Sequence, residues 1–229
     1  KAINTEPEDH FGTSVGISGN DAVVGAPDED SNATGINGDP GNNGALEAGA
    51  VYAYLRTGIN WANNAYLKAS NTGAGDDFGT SLSLDTWLVV GASAESSSSA
   101  GVDGPDNNDL SVSGAAYVFT RDGGWAQAAY LKASNPGNSD RFGQSVATEG
   151  STVIVGAPQE DGSSKTVNGP SDDLSTDLGA AYRFTHLAGP GNGTWQQRAY
   201  LKPSYTNVEV LFGYALAVDG EVSFIGAPI

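Results

Sequence analysis

Residues 140–161 read DRFGQSVATEGSTVIVGAPQED, and this stretch carries the pattern that decides the fold. Phe142-Gly143 is followed, across one short polar break, by Gly156-Ala157-Pro158. The same two motifs, Phe-Gly and Gly-Ala-Pro, occur four times along the chain, with Ser in place of Pro in one copy. The other copies are Phe11-Gly12 with Gly25-Ala26-Pro27, Phe78-Gly79 with Gly91-Ala92-Ser93, and Phe212-Gly213 with Gly226-Ala227-Pro228. Recurrence at a period of roughly 65 to 70 residues indicates a repeat architecture.

Other sequence motifs recur with the same period, and they divide each repeat into four segments. In the first repeat these segments are 11–18, 22–27, 49–55 and 63–70, and all are apolar or alternate between apolar and polar residues. Gly, Asn, Asp and Ser bound each segment, as they bound short strands. A tryptophan precedes each predicted fourth strand, at Trp61, Trp125 and Trp195. Their regular placement favours packing within the sheets over stacking on sugar rings.

Four short strands per repeat, with no sustained helical period, predict an all-β fold of β-propeller type. The chain supplies three full repeats of four-stranded antiparallel blades plus two further strands. We treat residues 1–229 as a single repeat region, with units of approximately 1–67, 68–131, 132–201 and 202–229. We expect these residues alone not to close a ring. We also expect Phe11, Phe78, Phe142 and Phe212 to be buried at equivalent sites.

The spacing of Phe-Gly and Gly-Ala-Pro, followed by GAVYAY at 49–54 or GAAYVF at 114–119, resembles FG-GAP repeats. These repeats form the head of the integrin α-subunit and occur in bacterial secreted and surface proteins. The sequence here is most similar to the bacterial branch. The integrin calcium site lies in a loop between the Phe-Gly and Gly-Ala-Pro strands. Here that connection is short, at 18–21, 84–86 and 148–151, so the resemblance does not carry that site over.

The charge of the chain is strongly negative, −17, from 27 acidic and 10 basic residues. Such a charge repels nucleic acid and anionic membranes. The absence of cysteine excludes zinc thiolate sites and cysteine nucleophiles. No apolar run approaches the roughly 20 residues of a membrane-spanning helix. His10 and His186 occupy non-equivalent positions, and no catalytic motif is visible, so we expect no enzymatic activity.

About half of the acidic residues lie in three loops, 28–48, 94–113 and 159–178, where Lys165 is the only basic residue. Carboxylate and amide oxygens in loops rich in Gly and Ser are suitable ligands for Ca²⁺. We therefore predict calcium at these loops, best at 28–39. The alternative is a solvated acidic surface. The candidate ligands are Asp28, Asp30, Asn32, Asn37, Asp39, Glu95, Asp103, Asp106, Glu160, Asp161, Asn168 and Asp172.

These observations predict a non-catalytic, extracellular bacterial module for adhesion or interaction, secreted or on the cell surface. Its partner would be a protein or a glycan on a cell surface. A second hypothesis is structural: the repeats build a surface layer or an extracellular filament by self-assembly, because open sheet edges invite pairing. A third is that the chain is a non-catalytic part of a carbohydrate-active enzyme. A defined ligand would favour the first hypothesis, and ordered assembly the second.

Overall fold

The structure is a computed structural model that describes residues 1–4, 6–189, 193–204 and 209–228. This part of the chain contains fourteen strands and no helix. The strands are β1 (Ser14–Ser18), β2 (Asp21–Ala26), β3 (Ala50–Thr57), β4 (Asn60–Leu67), β5 (Phe78–Leu84), β6 (Leu88–Ala92), β7 (Ala115–Thr120), β8 (Ala126–Leu131), β9 (Ser145–Glu149), β10 (Thr152–Ala157), β11 (Ala180–Leu187), β12 (Thr194–Leu201), β13 (Ala215–Asp219) and β14 (Val222–Gly226).

The strands form three four-stranded antiparallel sheets and one two-stranded sheet, each in sequence order. We call them blade 1 (β1–β4), blade 2 (β5–β8), blade 3 (β9–β12) and blade 4 (β13 and β14). The first strand of each blade contacts the first strand of the next, as in a propeller. The third and fourth strands carry a bulge at the same place in every full blade, beside Tyr54, Phe119 and Phe184. The predicted fold class is confirmed.

Close contact between neighbouring blades explains the glycines of the two repeated marks. A β-carbon added to Gly91, in Gly-Ala-Ser, would lie 1.9 Å from the carbonyl oxygen of Gly143, in the next Phe-Gly. The Ser81 hydroxyl donates a hydrogen bond of 2.8 Å to that same carbonyl. Ser14 and Ser145 make the equivalent bonds to Gly79 and Gly213, at 2.6 Å each. Only glycine allows the two backbones to approach this closely.

The four phenylalanines are not equally buried, which corrects the prediction. Phe78 and Phe142 are fully buried between consecutive blades, and Phe142 packs edge-on against Tyr182 and Phe184. Phe11 and Phe212 are only half-buried. No other described blade covers blade 1 on the side that faces away from blade 2, although Phe11 packs there with Ala2 and Tyr52. Blade 4 has no third strand among the described residues to cover Phe212. A phenylalanine therefore needs both its own blade and the preceding one for complete burial.

The predicted strands were placed correctly, but the fourth strand begins and ends earlier than predicted. It covers Asn60–Leu67 rather than 63–70, so Trp61 lies within it. Trp195 is buried and packs edge-on against Trp87, with ring centroids 5.3 Å apart, beside His186. Trp61 instead remains 42% exposed, on the uncovered side of blade 1. Packing within the sheets thus holds for Trp195 and not for Trp61.

Candidate functional site

The long loops that join the second and third strands all lie at one end of the blades, and we call this end the loop face. They cover residues 27–49, 93–114 and 158–179. Each loop contains a glutamate near its start: Glu29, Glu95 and Glu160. All three glutamates are at most 2% exposed. A carboxylate this deeply buried needs a charged or hydrogen-bonding partner.

That partner is the lysine that follows the fourth strand of the same blade. Lys68 lies 3.0 Å from Glu29, Lys132 lies 2.7 Å from Glu95, and Lys202 lies 2.5 Å from Glu160. Glu95 and Glu160, two of the predicted calcium ligands, are therefore held inside the blades by an ammonium group. The pairs join the loop to the outer strand of each blade.

The three lysines have different surroundings, although their sequence context is nearly the same. Lys132 donates to Glu95, to the Ser113 hydroxyl at 2.8 Å and to the Gly114 carbonyl at 2.6 Å. For Lys68 and Lys202, the glutamate is the one hydrogen-bond acceptor that the described residues provide. Burial lowers the pKa of all three amines, and the adjacent glutamate partly offsets this effect.

An asparagine that lies before the first strand of each full blade extends this network. These asparagines are Asn4, Asn71 and Asn135, three residues after Lys1, Lys68 and Lys132. In blade 3, Asn135 donates to Glu160 at 2.9 Å, and the Tyr182 hydroxyl donates to the Asn135 carbonyl oxygen at 3.0 Å. In blade 1, Asn4 donates to Glu29 at 3.0 Å and accepts from Tyr52 at 2.6 Å.

Blade 2 keeps only part of this arrangement. Tyr117 donates to Asn71 at 2.9 Å, but the Asn71 amide nitrogen has no hydrogen-bond partner among the described residues. Tyr130 donates to Glu95 at 2.8 Å, as Tyr200 donates to Glu160 at 2.6 Å in blade 3.

Two buried aspartates, Asp76 and Asp140, lie near these glutamates. Each stands two residues before a fully buried phenylalanine, Phe78 or Phe142. Asp76 accepts a hydrogen bond from the Gly73 amide, and Asp140 accepts one from the Gly137 amide, both at 2.7 Å. Burial, reinforced by Glu95 and Glu160, raises the pKa of each aspartate to about 7. The carboxyl groups are therefore poised to change charge near neutral pH.

Three other predicted ligands anchor the loops to the sheets. The side chains of Asn37, Asp103 and Asn168 accept hydrogen bonds from the backbone amides of Tyr66, Tyr130 and Tyr200, at 2.8 to 3.0 Å. All three adopt a positive φ of 53 to 56°. Asn and Asp tolerate this conformation better than other non-glycine residues, which explains their recurrence. The long loops are therefore tied down at fixed points.

The remaining predicted ligands mostly bond within their own loops. Asp30 and Asp161 accept from the amides of Glu47 and Asp177, both at 2.9 Å. Asp39 accepts from the Gly41 amide at 2.9 Å, and Asp28 contacts His10. Asn32 and Asp106 lie exposed on the loop surface.

Asp172 accepts a hydrogen bond from the backbone amide of Ser163 at 2.8 Å, and Asn42 and Asn107 play the same role in the other two loops.

The predicted calcium ligands do not converge into a ready-made cage. Among residues 1–4, 6–189, 193–204 and 209–228, no group of three or more His, Cys, Asp or Glu side chains is arranged to hold a metal ion. The loop oxygens are instead largely engaged in ordering the loops themselves.

The buried Glu–Lys–Asn–Tyr network was not predicted from the sequence. The signal was present, since a lysine and a glutamate recur in every repeat. However, the glutamate stands among surface acids, and nothing in the linear order shows that it turns inward. The raised pKa of Asp76 and Asp140 was missed for the same reason.

Comparison with known protein families gives three matches, all to the FG-GAP repeat family, at residues 2–54, 61–119 and 125–184. These segments cover well over half of the chain. The first ends within β3, and each of the other two runs from the fourth strand of one blade into the third strand of the next. No curated protein matches the chain. Within the described residues, no helix is long and apolar enough to cross a membrane.

Proposed function

Because the chain belongs to the FG-GAP repeat family, we propose that it is a non-catalytic module that binds a partner outside the cell. The proposal includes adhesion, with a protein or glycan of a cell surface as the partner. The blades would serve as a scaffold, and the loop face would carry the binding surface. Loops held on a rigid scaffold are common binding sites.

The observation that carries this proposal is the anchoring of the acidic loops. Each loop is fixed by a buried glutamate and by an Asn or Asp that bonds to the fourth strand. A surface that is ordered before binding loses less conformational entropy when a partner docks. The exposed residues of the second loop include Asp103, Asp106 and Asp109, which supply negative charge. A partner with a basic surface is therefore favoured.

The test is binding of the purified protein to intact cells and to a glycan array. Asp103→Asn, Asp106→Asn and Asp109→Asn together remove three charges from the loop face. The first change is mild, because Asn37 and Asn168 fill the same position in the other blades. We expect this variant to bind at least tenfold more weakly, with a reduced dependence on salt.

The matched control neutralises three exposed acids at the opposite end of the blades, with Asp122→Asn, Asp219→Asn and Glu221→Gln. We expect this control to bind as the unmodified protein does. Equal weakening in both variants would show that total charge, and not the loop face, governs binding. Unchanged binding in the loop variant would overturn the proposal for this face.

Calcium at the loop face remains a proposal as well. It is supported by the density of carboxylates, and it draws on the exposed oxygens of Asn32, Asp39 and Asp106 rather than on Glu95 or Glu160. Since the described residues form no closed cage, we propose a weakly held ion that reduces repulsion among the loops.

A second candidate function, assembly into a layer or filament, is favoured by the apolar faces at both ends of the row of blades. Val15 and Ile17 of blade 1 are 68% and 66% exposed. Their counterparts in blade 2, Leu82 and Leu84, pack against blade 1. Exposed apolar patches of this kind indicate a contact surface.

At the other end of the row of blades, blade 4 exposes Phe224 on β14. Contact between two different surfaces of successive copies produces an open chain or a ring. Sedimentation over a range of concentrations tests this: we expect growing assemblies, and we expect Ile17→Asp to abolish them. A monomer at all concentrations would exclude assembly of this chain.

A further inference from the structure

We propose that the chain forms internal amide cross-links between Lys68 and Asn4 and between Lys202 and Asn135, with Glu29 and Glu160 transferring the protons. This modification goes beyond the proposed binding function and does not depend on it. In each case a single buried carboxylate contacts both partners. The Glu160 carboxylate accepts from Asn135 at 2.9 Å through one oxygen and from Lys202 at 2.5 Å through the other.

The lysine of each pair is suited to act as a nucleophile. The side chains of Lys68 and Lys202 are 0% exposed. An ammonium group carries three N–H donors, yet the described residues offer each of these lysines one acceptor. Burial disfavours the charged form and lowers the pKa of both amines, although the paired glutamate and, at Lys202, the Tyr200 ring 5.8 Å away partly oppose this effect. Transfer of a proton to the glutamate leaves an uncharged amine with a free electron pair.

The asparagine of each pair is suited to be attacked. The Tyr182 hydroxyl donates to the Asn135 carbonyl oxygen at 3.0 Å, and Tyr52 donates to that of Asn4 at 2.6 Å. Such a donor draws electron density from the amide carbon and stabilises the negative charge that develops on oxygen during addition. The amide nitrogen, which must leave, is already bonded to the glutamate that can protonate it.

The reaction is balanced without an oxidant or a cofactor. The lysine Nζ forms a bond to the asparagine Cγ, and the bond from Cγ to Nδ2 breaks. The glutamate takes two protons from the lysine nitrogen, one before the attack and one after it, and gives both to the departing nitrogen, so its carboxylate is regenerated. The leaving group is one ammonium ion per link, and the neutral mass of the chain falls by one ammonia. Because one carboxylate holds both the amine and the amide, the reaction is intramolecular and does not require two molecules to collide.

Blade 2 provides an internal comparison, because its lysine is held differently. Lys132 donates to three acceptors, Glu95, Ser113 and Gly114, which is the arrangement that a charged ammonium requires. The described residues give the Asn71 amide nitrogen no hydrogen bond to Glu95. We therefore expect Lys132 and Asn71 to remain unlinked.

Each link would close a blade upon itself. Asn135 lies before the first strand of blade 3, and Lys202 lies after its last strand. A covalent bond here joins the two ends of the blade, as a disulfide does in proteins that contain cysteine. This chain has no cysteine.

The intact mass of the purified chain decides the matter. We expect it to be lower than the mass of the sequence by two molecules of ammonia, and we expect protease digestion to yield two branched peptides, joining Asn4 to Lys68 and Asn135 to Lys202. Ammonia is also lost when Asn-Gly sequences cyclise, as at Asn37-Gly38 and Asn168-Gly169, so the branched peptides must be identified by fragmentation.

Variants assign the chemistry to these residues. Lys202→Arg retains a positive charge but supplies no amine, so this variant should lose only one ammonia. Glu160→Gln should behave in the same way. Lys132→Arg is the matched control and should still lose two. Should Glu160→Gln fail to fold, the mass of the unmodified chain still decides.

An intact mass equal to that of the sequence would overturn the proposal. So would loss of ammonia that maps to residues other than the two pairs. A bond found at one pair alone would overturn the assignment of the other pair. Loss of two ammonia molecules from the Lys202→Arg variant would exclude Lys202 as the nucleophile.

Discussion

The hydroxyl of Ser81 donates a 2.8 Å hydrogen bond to the carbonyl oxygen of Gly143, across the boundary between blades 2 and 3. The same carbonyl lies 1.9 Å from the position that a β-carbon on Gly91 would occupy. Gly91→Ala therefore forces two backbones apart, and we expect it to destabilise the protein by about 3 kcal/mol or more. Chemical denaturation of the variant measures this.

The control for that substitution is Gly41→Ala, in the first loop, where the nearest atom to the added carbon is 3.4 Å away on the Asp39 side chain. We expect Gly41→Ala to change the free energy of unfolding by less than about 1 kcal/mol. Equal effects at the two glycines would mean that contact between the blades does not set the requirement at Gly91.

Truncation of the repeated phenylalanines should separate buried from half-buried copies. Phe142→Ala removes a fully buried ring and should cost about 3–5 kcal/mol. Phe11→Ala removes a ring that lies on the uncovered side of blade 1 and should cost less than half as much. Denaturation midpoints compare the two variants directly. A larger loss from Phe11→Ala would contradict the described packing.

Breaking one buried ion pair should be costly, because the other charge remains buried. Glu95→Gln leaves Lys132 without its carboxylate, and we expect a loss of about 3–5 kcal/mol. Glu221→Gln breaks the ion pair with Arg183. Because the Glu221 side chain is 88% exposed, this change should cost at most about 1 kcal/mol. Replacing both Glu95 and Lys132 by apolar residues should recover part of the loss. Thermal melting of all three variants tests these expectations.

Stability should decrease as the pH rises from about 4 to about 7. The pKa of Asp76 and of Asp140 is raised from 3.8 to about 7, so the folded chain retains two protons that the unfolded chain releases in this range. This contribution is fully present below the unfolded pKa and is lost as the pH passes the folded pKa, by up to about 1.4 kcal/mol per pH unit for each group.

Melting temperatures across this range provide the measurement. Asp76→Asn and Asp140→Asn together should remove most of this slope, and Asp77, whose pKa burial raises to about 6, contributes to the remainder. Asp85, whose pKa is lowered by amide hydrogen bonds from Gly150 and Thr86, contributes in the opposite direction but only below its ordinary range. An undiminished slope in the double variant would assign the effect to other groups.

Calcium should raise the melting temperature if it binds the loop face, because a ligand of the folded state stabilises that state. The measurement compares calcium with a chelator at fixed ionic strength, and magnesium serves as the control ion. We expect a rise of a few degrees that Asp39→Asn and Asp106→Asn reduce. An unchanged melting temperature would leave the acidic loops as a solvated surface.

The fold was accessible from the sequence because repetition multiplies weak signals. Four copies of Phe-Gly and of the glycines that follow predicted four-stranded antiparallel units, and the structure confirms them in three full blades. Exposure of Phe11 and Trp61 could not be predicted from the repeat pattern, because it depends on which neighbouring blade is present. Periodicity describes each unit as though it had neighbours on both sides.

The loop chemistry was less accessible, for a physical reason. Glu95 and Asp106 lie in the same acidic loop, but one is buried against Lys132 and the other faces solvent. Composition treats them alike, and only the three-dimensional path of the loop separates them. The lysine that pairs with Glu95 lies outside the loop, after the fourth strand, so the loop seemed to contain more unopposed charge than it does.

The short connector between blades 1 and 2 serves both of them. Lys68 pairs with Glu29 in the blade that precedes it, and Asn71 accepts from Tyr117 in the blade that follows. Lys132 and Asn135 repeat this division one blade later. Loss of one blade therefore removes a contact from its neighbour, which couples their unfolding. The row should melt in one cooperative transition rather than blade by blade, and deleting a single residue between Lys68 and Asn71 should damage two sheets at once.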